Sequence, residues 1–274
     1  MAQREGALWW RLHFEDNPLC RTDSQIRARV DGVERYLALE PRSRVLDLAC
    51  GSGRPALELS RRDHRVLGMS AAEEPLGSAR GAAREERLNA HFVVSDVRQI
   101  PYRGEFDAAV SLFSSFGRFP LERDDARVLE SVHKALKTGG KLLLDLINRE
   151  WIIRHVEPDI WDQAEESVDG TTVADQISFD LESGRLDNLR STVDREGLRT
   201  PSFMSVRVYT LTEIKKLIAQ AGLAFRQAWG AFDGSAYGLD SYRMIVMAEK
   251  PAQAPSLRKE ASSSMTIRIK GRRR

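Results

Sequence analysis

Val45-Leu46-Asp47-Leu48-Ala49-Cys50-Gly51-Ser52-Gly53-Arg54 is the stretch on which the fold turns. An apolar run ends in an acid, small residues reverse the chain, and a helical pattern opens at Arg54. Glycine takes up the positive φ of a tight turn and lets a ligand approach the backbone closely. The helix behind the turn presents unpaired N–H groups to an anionic group. An ordinary strand-to-helix turn has the same outline, so the flanking sequence must decide between them.

Working outward, strands and helices alternate. Strands are expected over 44–49, 65–70, 91–95, 106–112 and 141–147, with helices over 54–62, 72–88 and 122–136. The strands are apolar without a two-residue period, which indicates a parallel sheet covered by helices on both faces. Upstream, Thr22 and Gln25 have capping-box spacing, and Ile26, Val30, Val33 and Leu37 repeat at helical intervals until Pro41.

The pattern changes after Asn148. Four short strand-like runs lie between Trp161 and Tyr209, separated by Asp169-Gly170, Ser183-Gly184 and Glu196-Gly197. Such turn pairs predict an antiparallel meander. A helix follows over 210–221, capped by Thr210 with Glu213 and closed by Gly222; two strands, over 223–229 and 242–248, complete the pattern.

The expected fold class is α/β: a Rossmann-like, doubly wound, mostly parallel sheet with an inserted antiparallel β meander. Residues 1–40 read as an N-terminal helical lid and 41–150 as the cofactor-binding core. Residues 151–209 read as the β insertion on the substrate side, 210–252 as completion of the core, and 253–274 as a disordered basic tail.

Composition narrows the class. The chain has 274 residues, 42% hydrophobic and 30% charged, which suits one α/β domain with insertions. No apolar run approaches the roughly 20 residues that span a bilayer, and Met1–Arg11 lacks a signal-type stretch, so the expected compartment is the cytoplasm. Cys20 and Cys50 make neither a disulfide framework nor a zinc site, and no metal is expected. Residues 256–274 hold seven basic side chains and one acid, so the remainder of this +2 chain is net acidic. Any contact with nucleic acid is therefore confined to a non-specific role of the tail.

Gly51-Ser52-Gly53-Arg54-Pro55-Ala56 also fits the dinucleotide pattern. Two features weigh against a nicotinamide cofactor. Asp47 would meet a pyrophosphate unfavourably, and Met69-Ser70 stands where an acid for the ribose should end the second strand.

Residues 44–147 resemble the class I S-adenosylmethionine (SAM)-dependent methyltransferases, in order along the chain. Asp47–Gly53 is similar to their glycine loop, and Ser95-Asp96-Val97 resembles the acidic element after the third strand. Glu105–Ser111 resembles the fourth-strand motif, and Leu136-Lys137-Thr138-Gly139-Gly140-Lys141-Leu142 the turn before the fifth. Phe232-Asp233-Gly234-Ser235 with Tyr237 looks like bacterial small-molecule members.

The resemblance implies a cofactor, S-adenosyl-L-methionine or S-adenosyl-L-homocysteine (SAH), and a small-molecule substrate. Ala49, Cys50, Gly51 and Gly53 would wrap the methionine part, with Asp47 organising the turn near the ammonium. Asp96 and Val97 would meet the adenine, and Leu112 and Phe113 would line the mouth beside the sulfonium. The chain departs from the family at Ala49, where a glycine is usual, and at Ser70, where an acid grips the ribose. One hydroxyl offers less than a carboxylate there. Glu73 and Glu74 read as caps of the following helix.

Strand carboxyl ends place Ser114, Ser115 and Phe116, then Asn148, Arg149 and Trp151, on the substrate side, with Tyr209 and Tyr237 closing it. Trp9, Trp10 and Phe14 suit a lid. His13 and His155 are the candidate general bases; His64, His91 and His133 read as structural or exposed. The expected activity is methylation of a small, secondary-type metabolite. The alternatives are a methyltransferase-like enzyme of non-methylating chemistry, a cyclisation or rearrangement motivated by Ser70, and a non-catalytic SAM-binding protein. The oligomeric state, a homodimer included, is open.

Overall fold

The structure, a computed structural model, describes residues 22–155, 162–166 and 172–252. His13, Cys20, the aromatic N-terminal residues, the Asp169-Gly170 turn and the basic tail lie outside the described residues.

Helix α1 (Asp23–Leu37) opens with the expected capping box: the Thr22 hydroxyl accepts from the Gln25 N–H, and the Gln25 side chain accepts from the Thr22 N–H. It closes on Ala38 in the left-handed region, before Pro41. The core then runs β1 (Arg44–Asp47), α2 (Arg54–Arg61), β2 (Arg65–Ser70), α3 (Leu76–Glu85), β3 (Ala90–Val94), β4 (Phe106–Ser111), α4 (Glu122–Ala135) and β5 (Leu136–Ile147). Helix α3 is shorter at its start than the periodicity predicts, because Pro75 holds its N-cap position with no side-chain cap. Glu73 pairs with Arg80 instead of capping.

After α5 (Arg149–His155) come β6 (Asp162–Glu166), β7 (Thr172–Asp180), β8 (Arg185–Val193) and β9 (Arg199–Arg207). Helix α6 (Leu211–Gln220), β10 (Ala224–Trp229) and β11 (Arg243–Glu249) end the described chain. Seven strands form one sheet in the order β10-β11-β5-β4-β1-β2-β3, and β6-β7-β8-β9 form a separate antiparallel sheet. Strands β1 to β5 pair parallel; β11 runs antiparallel to both β5 and β10. This is the Rossmann-like sheet and the meander that the pattern predicts.

Both faces of the large sheet are buried. One carries Leu46, Phe106, Leu129, Leu144 and Ile218; the other carries Val30, Val45, Leu59, Val110 and Ile245. A smaller cluster of Ile147, Trp151, Ile152, Leu186, Val206 and Val208 fixes the meander to the end of β5. Helix α1 is fastened by a return loop: Tyr36 stacks on Trp229 at 4.0 Å, donates to the Ala231 carbonyl and accepts from the Gly234 N–H.

Phe92 shows why glycine is needed at two further positions. A Cβ at Gly68 would stand 2.7 Å from Phe92 Cδ1 and 2.9 Å from Cys50 Sγ; one at Gly53 would stand 2.5 Å from Phe92 Cε1. The ring is buried and has no open side to move into. Gly68→Ala is expected to destabilise the protein by about 1–3 kcal/mol through overpacking. Urea unfolding of both proteins checks this; an unchanged midpoint would show that Phe92 yields freely.

Candidate functional site

The β1–α2 turn is built as its sequence demands. Leu48 N–H donates to Val110 O at 2.8 Å and Cys50 N–H to Met69 O at 2.8 Å, so the turn hangs from β4 on one side and β2 on the other. Ala49, Gly51 and Gly53 have φ of 54°, 54° and 70°. Positive φ costs an alanine that a glycine avoids, so Ala49 is held there by its neighbours. At Gly51 a Cβ would meet nothing within 4 Å, which leaves its face open to a ligand.

Asp47 lies beneath this turn, 2% exposed. Its Oδ2 is buried with no hydrogen-bond partner. Burial without compensation pushes its carboxyl up to about 7. The same burial, with Asp47 nearby, drives the Cys50 thiol upward and makes it a poor nucleophile. A buried acceptor without a partner is costly, and a bound donor or cation would relieve it.

Ser70 ends β2 and is buried; its hydroxyl accepts from Ala72 N–H at 3.2 Å. Next to it, Ser95 N–H donates to Ser70 O at 2.9 Å, which brings Asp96 to the same rim. Asp96 caps the 3-10 turn that holds Val97. Its Oδ1 accepts from Arg98 N–H at 2.9 Å and Nε at 3.0 Å, and its Oδ2 from Nη2 at 2.8 Å. The Arg98 contact holds the carboxyl below the usual range. Asp96 is therefore ionised, and any further donor would share it with Arg98.

The loop after β4 carries two consecutive left-handed residues, Phe113 (φ 58°) and Ser114 (φ 56°). Asp145 on β5 holds it: its Oδ2 accepts from Phe113 N–H at 3.0 Å, and its carbonyl accepts from Ser114 N–H at 3.0 Å. Asp145 is fully buried and receives Arg243 Nε from β11 at 2.8 Å, with Arg29 Nε from α1 at 3.7 Å. Arg29 also covers the Phe113 ring at 4.4 Å. Sequence reading passed over Asp145, Arg29 and Arg243. The one available signal was an acid inside the apolar run Leu142-Leu143-Leu144-Asp145-Leu146-Ile147, since a buried charge is rare unless paired. Leu112 is buried beside them.

The residues expected on the substrate side have mixed placements. Ser115 donates to Leu112 O at 2.7 Å. Phe116 and Tyr209 are packed in the core with ring centroids 5.8 Å apart. The Tyr209 hydroxyl donates to Asp125 at 2.6 Å. Asn148 is fully buried: its amide donates to the Gly238 and Ser241 carbonyls, and its Oδ1 accepts from Glu150 N–H and the Tyr237 hydroxyl. The single Tyr237 proton is shared between Asn148 Oδ1 at 3.2 Å and Glu150 Oε2 at 3.0 Å. Arg149 lies 3.5 Å from Glu213 and reaches the Leu181 carbonyl, joining α5 to α6 and the meander. Trp151 stacks on His155 at 4.2 Å, and His155 Nδ1 donates to the Trp151 carbonyl at 2.9 Å, leaving Nε2 as the acceptor nitrogen. His64 is buried against Glu34, and His91 is exposed on β3.

The cofactor-side positions thus gather on one rim, at the carboxyl ends of β1 to β4. The fold and this turn define an α/β domain, and open α/β sheets take their ligands outside such strand ends. Residues 45–140 match the family model described as a methyltransferase domain. The chain is 25% identical over 227 residues to the Bacillus subtilis (strain 168) protein named "Putative methyltransferase YqeM", across 78% of this chain and 86% of that protein. It is 29% identical over 151 residues to the ubiquinone biosynthesis O-methyltransferase of Acinetobacter baylyi, of whose length the match spans 59%. The fold is similar to that of an S-adenosylmethionine-dependent methyltransferase from Clostridium acetobutylicum. The TM-score is 0.75 at 17% identity, over 89% of this chain and 99% of that one. Residues 45–140 thus resemble a methyltransferase domain, set in a fold shared with an S-adenosylmethionine-dependent methyltransferase.

Asp47 has a measurable signature before any ligand is added. Folding raises its pKa from the usual 3.8 to about 7, so the folded chain binds this proton more tightly than the unfolded one. Stability falls as pH rises through that window, by up to about 4 kcal/mol. Asp47→Asn is expected to raise the urea midpoint of the ligand-free protein above about pH 7, with the advantage fading towards about pH 4. An equal gap at both ends would mean that the carboxyl is not desolvated.

Proposed function

We propose that the protein transfers a methyl group from SAM to a small metabolite. The observation that carries this is the β1–α2 turn: an open Gly51 face above the buried, unpartnered Asp47 Oδ2. Those features fit the methionine end of SAM, an ammonium beside Asp47 and backbone packed against Gly51 and Gly53. Asp96 and Val97 stand where the adenine would lie, Ser70 where the ribose would lie, and Leu112 and Phe113 at the mouth. Bound SAM supplies an electrophilic methyl on a sulfonium whose departing thioether is neutral, so no general acid is demanded. The chain's own work is alignment and exclusion of water, for which a rigid loop after β4 and a covering meander are suited. A base is needed only for an acceptor that arrives protonated, and His155 Nε2 is the described histidine nitrogen proposed for it. The division into core, insertion and completing strands belongs to this reading: the core holds the cofactor, and the meander faces the acceptor. The relatives are methyltransferases, one of them named for ubiquinone biosynthesis, which favours a small-molecule acceptor. Transfer of label from methyl-labelled SAM into a panel of small phenols, amines and carboxylic acids tests the reaction.

SAH is expected to bind, with NAD binding weaker by tenfold or more. Its affinity should rise with pH through about 7 as Asp47 ionises to meet the ammonium, and Asp47→Asn should flatten that dependence. Calorimetry in which NAD binds more tightly, or in which the parent shows no pH dependence, would sink the assignment.

Ser70 tests the ribose end separately. Its hydroxyl accepts from Ala72 N–H, which leaves one lone pair and one O–H for a diol, less than a carboxylate offers. Ser70→Asp can keep that bond with one oxygen and offer the other, and SAH should bind about tenfold tighter, matching one charge-assisted hydrogen bond. Unchanged affinity would place the ribose elsewhere, and the non-methylating reading motivated by Ser70 would lose its ground.

A further inference from the structure

An open groove of about 470 Å³ runs between the loop after β4 and the meander, lined by Arg118, Pro120, Arg185, Phe203, Met204 and Ser205. It has two chemical characters. Phe203 is 67% exposed and, with Pro120 and Met204, gives an apolar wall. Arg118 and Arg185 give two guanidinium groups, and among the described residues neither has a carboxylate at ion-pair distance. Arg118 is exposed and makes one long bond, Nε to Ser114 O at 3.4 Å. Arg185 is positioned by Nε to Ser205 Oγ at 2.7 Å and Nη1 to Phe119 O at 3.1 Å, and among the described residues Nη2 has no hydrogen-bond partner. Other arginines near this end are neutralised: Arg98 by Asp96, Arg207 by Glu122, Arg149 by Glu213. Asp125, which feels the charge of Arg185, is buried and hydrogen-bonded by Tyr209, and burial pushes its carboxyl up to about 6.

The backbone adds donors. Arg207 N–H leaves the meander and donates to Gly117 O at 2.8 Å. Strand alternation then turns the N–H groups of Ser205 and Phe203 toward the same open edge. Two unneutralised guanidinium forks and edge N–H groups beside an apolar wall match an oxyanion carried on a flat apolar body. The volume suits a small molecule. The groove starts from the loop that Asp145 fixes next to the β1–α2 turn.

We propose that this groove binds the methyl acceptor, and that the acceptor is a small aromatic or alicyclic acid whose carboxylate or phosphate is held by Arg118 and Arg185. The inference rests on the methyltransferase reading of the neighbouring turn. Its test separates the two. Ligand-observed NMR on the full chain with saturating SAH would use benzoate, phenyl phosphate and neutral benzamide as probes. The anions should bind at millimolar concentration and benzamide about tenfold more weakly. The stronger of the two anions tells whether the natural group is carboxylate or phosphate. Arg118→Gln should weaken the anions about tenfold, leaving benzamide and SAH affinity unchanged. Arg185→Lys, which keeps the charge but loses the fork, should weaken them less than Arg185→Gln. Equal binding of benzamide and the anions, no anion binding, or an Arg118→Gln protein that binds them normally would each overturn the proposal. If SAH fails to bind while the anions still discriminate, the cofactor reading falls and the anion groove stands as an oxyanion site alone.

Discussion

A buried carboxylate holds together the end of the molecule where the strands finish. Asp145 has no exposed surface, yet it fastens β11 through Arg243, α1 through Arg29 and the loop after β4 through the Phe113 N–H. An isolated buried charge would be prohibitively costly. Two guanidinium groups and a backbone donor make it tolerable, and removing one partner from such a cluster typically costs about 3–5 kcal/mol. The gain is geometric. Phe113 and Ser114 both adopt positive φ, a pairing that two non-glycine residues do not keep unaided. Ser114 is further tied to the Asp145 carbonyl. Side chain and main chain of one residue therefore impose the loop's course.

The same economy of position explains why the β1–α2 turn keeps its own cost. Ala49 sits at positive φ, Asp47 is buried without a full set of partners, and Phe92 fills the space that Gly53 and Gly68 leave. Rigid supports from β2 and β4 over-determine the turn, which lets it hold conformations that a free loop would discard. The unpartnered Asp47 Oδ2 lies where a bound donor would complete it, as in a site that is pre-organised and not stable for its own sake.

The sheet was legible because its strands read as uninterrupted apolar runs and its turns as glycine pairs; α1 and α6 were legible from capping boxes that the structure reproduces bond for bond. What sequence could not show was long-range polar satisfaction. Asn148 reads as a substrate-side residue after a strand; in the structure it is buried and its amide donates to the loop at Gly238 and Ser241, some ninety residues on. Tyr209 and Phe116 look like pocket aromatics and are core. Glu73 looks like a cap and pairs with Arg80. In each case local spacing is the same for both roles, and only the tertiary partner distinguishes them. Asp145 is the reverse case: an acid in an apolar strand was visible, but its partners on α1 and β11 were not.

Charge is distributed in keeping with this division. Most arginines of the described chain are matched by carboxylates, as with Arg62 among Asp31, Glu34 and Glu58, or Arg61 with Glu86. Such pairs on the surface add little stability and chiefly keep the field near the protein even. Against that background the groove under the meander stands out, because its two arginines are anchored by carbonyl and hydroxyl oxygens, which orient a guanidinium without cancelling its charge. Neutral anchors leave the positive potential directed outward, where a low-dielectric wall such as Phe203 and Met204 strengthens it. The buried cluster at Asp145 does the opposite, spending its charges on one another to fix backbone. One end of the sheet therefore contains two kinds of arginine: those that hold the loop in shape, and those that the loop and the meander hold in reserve.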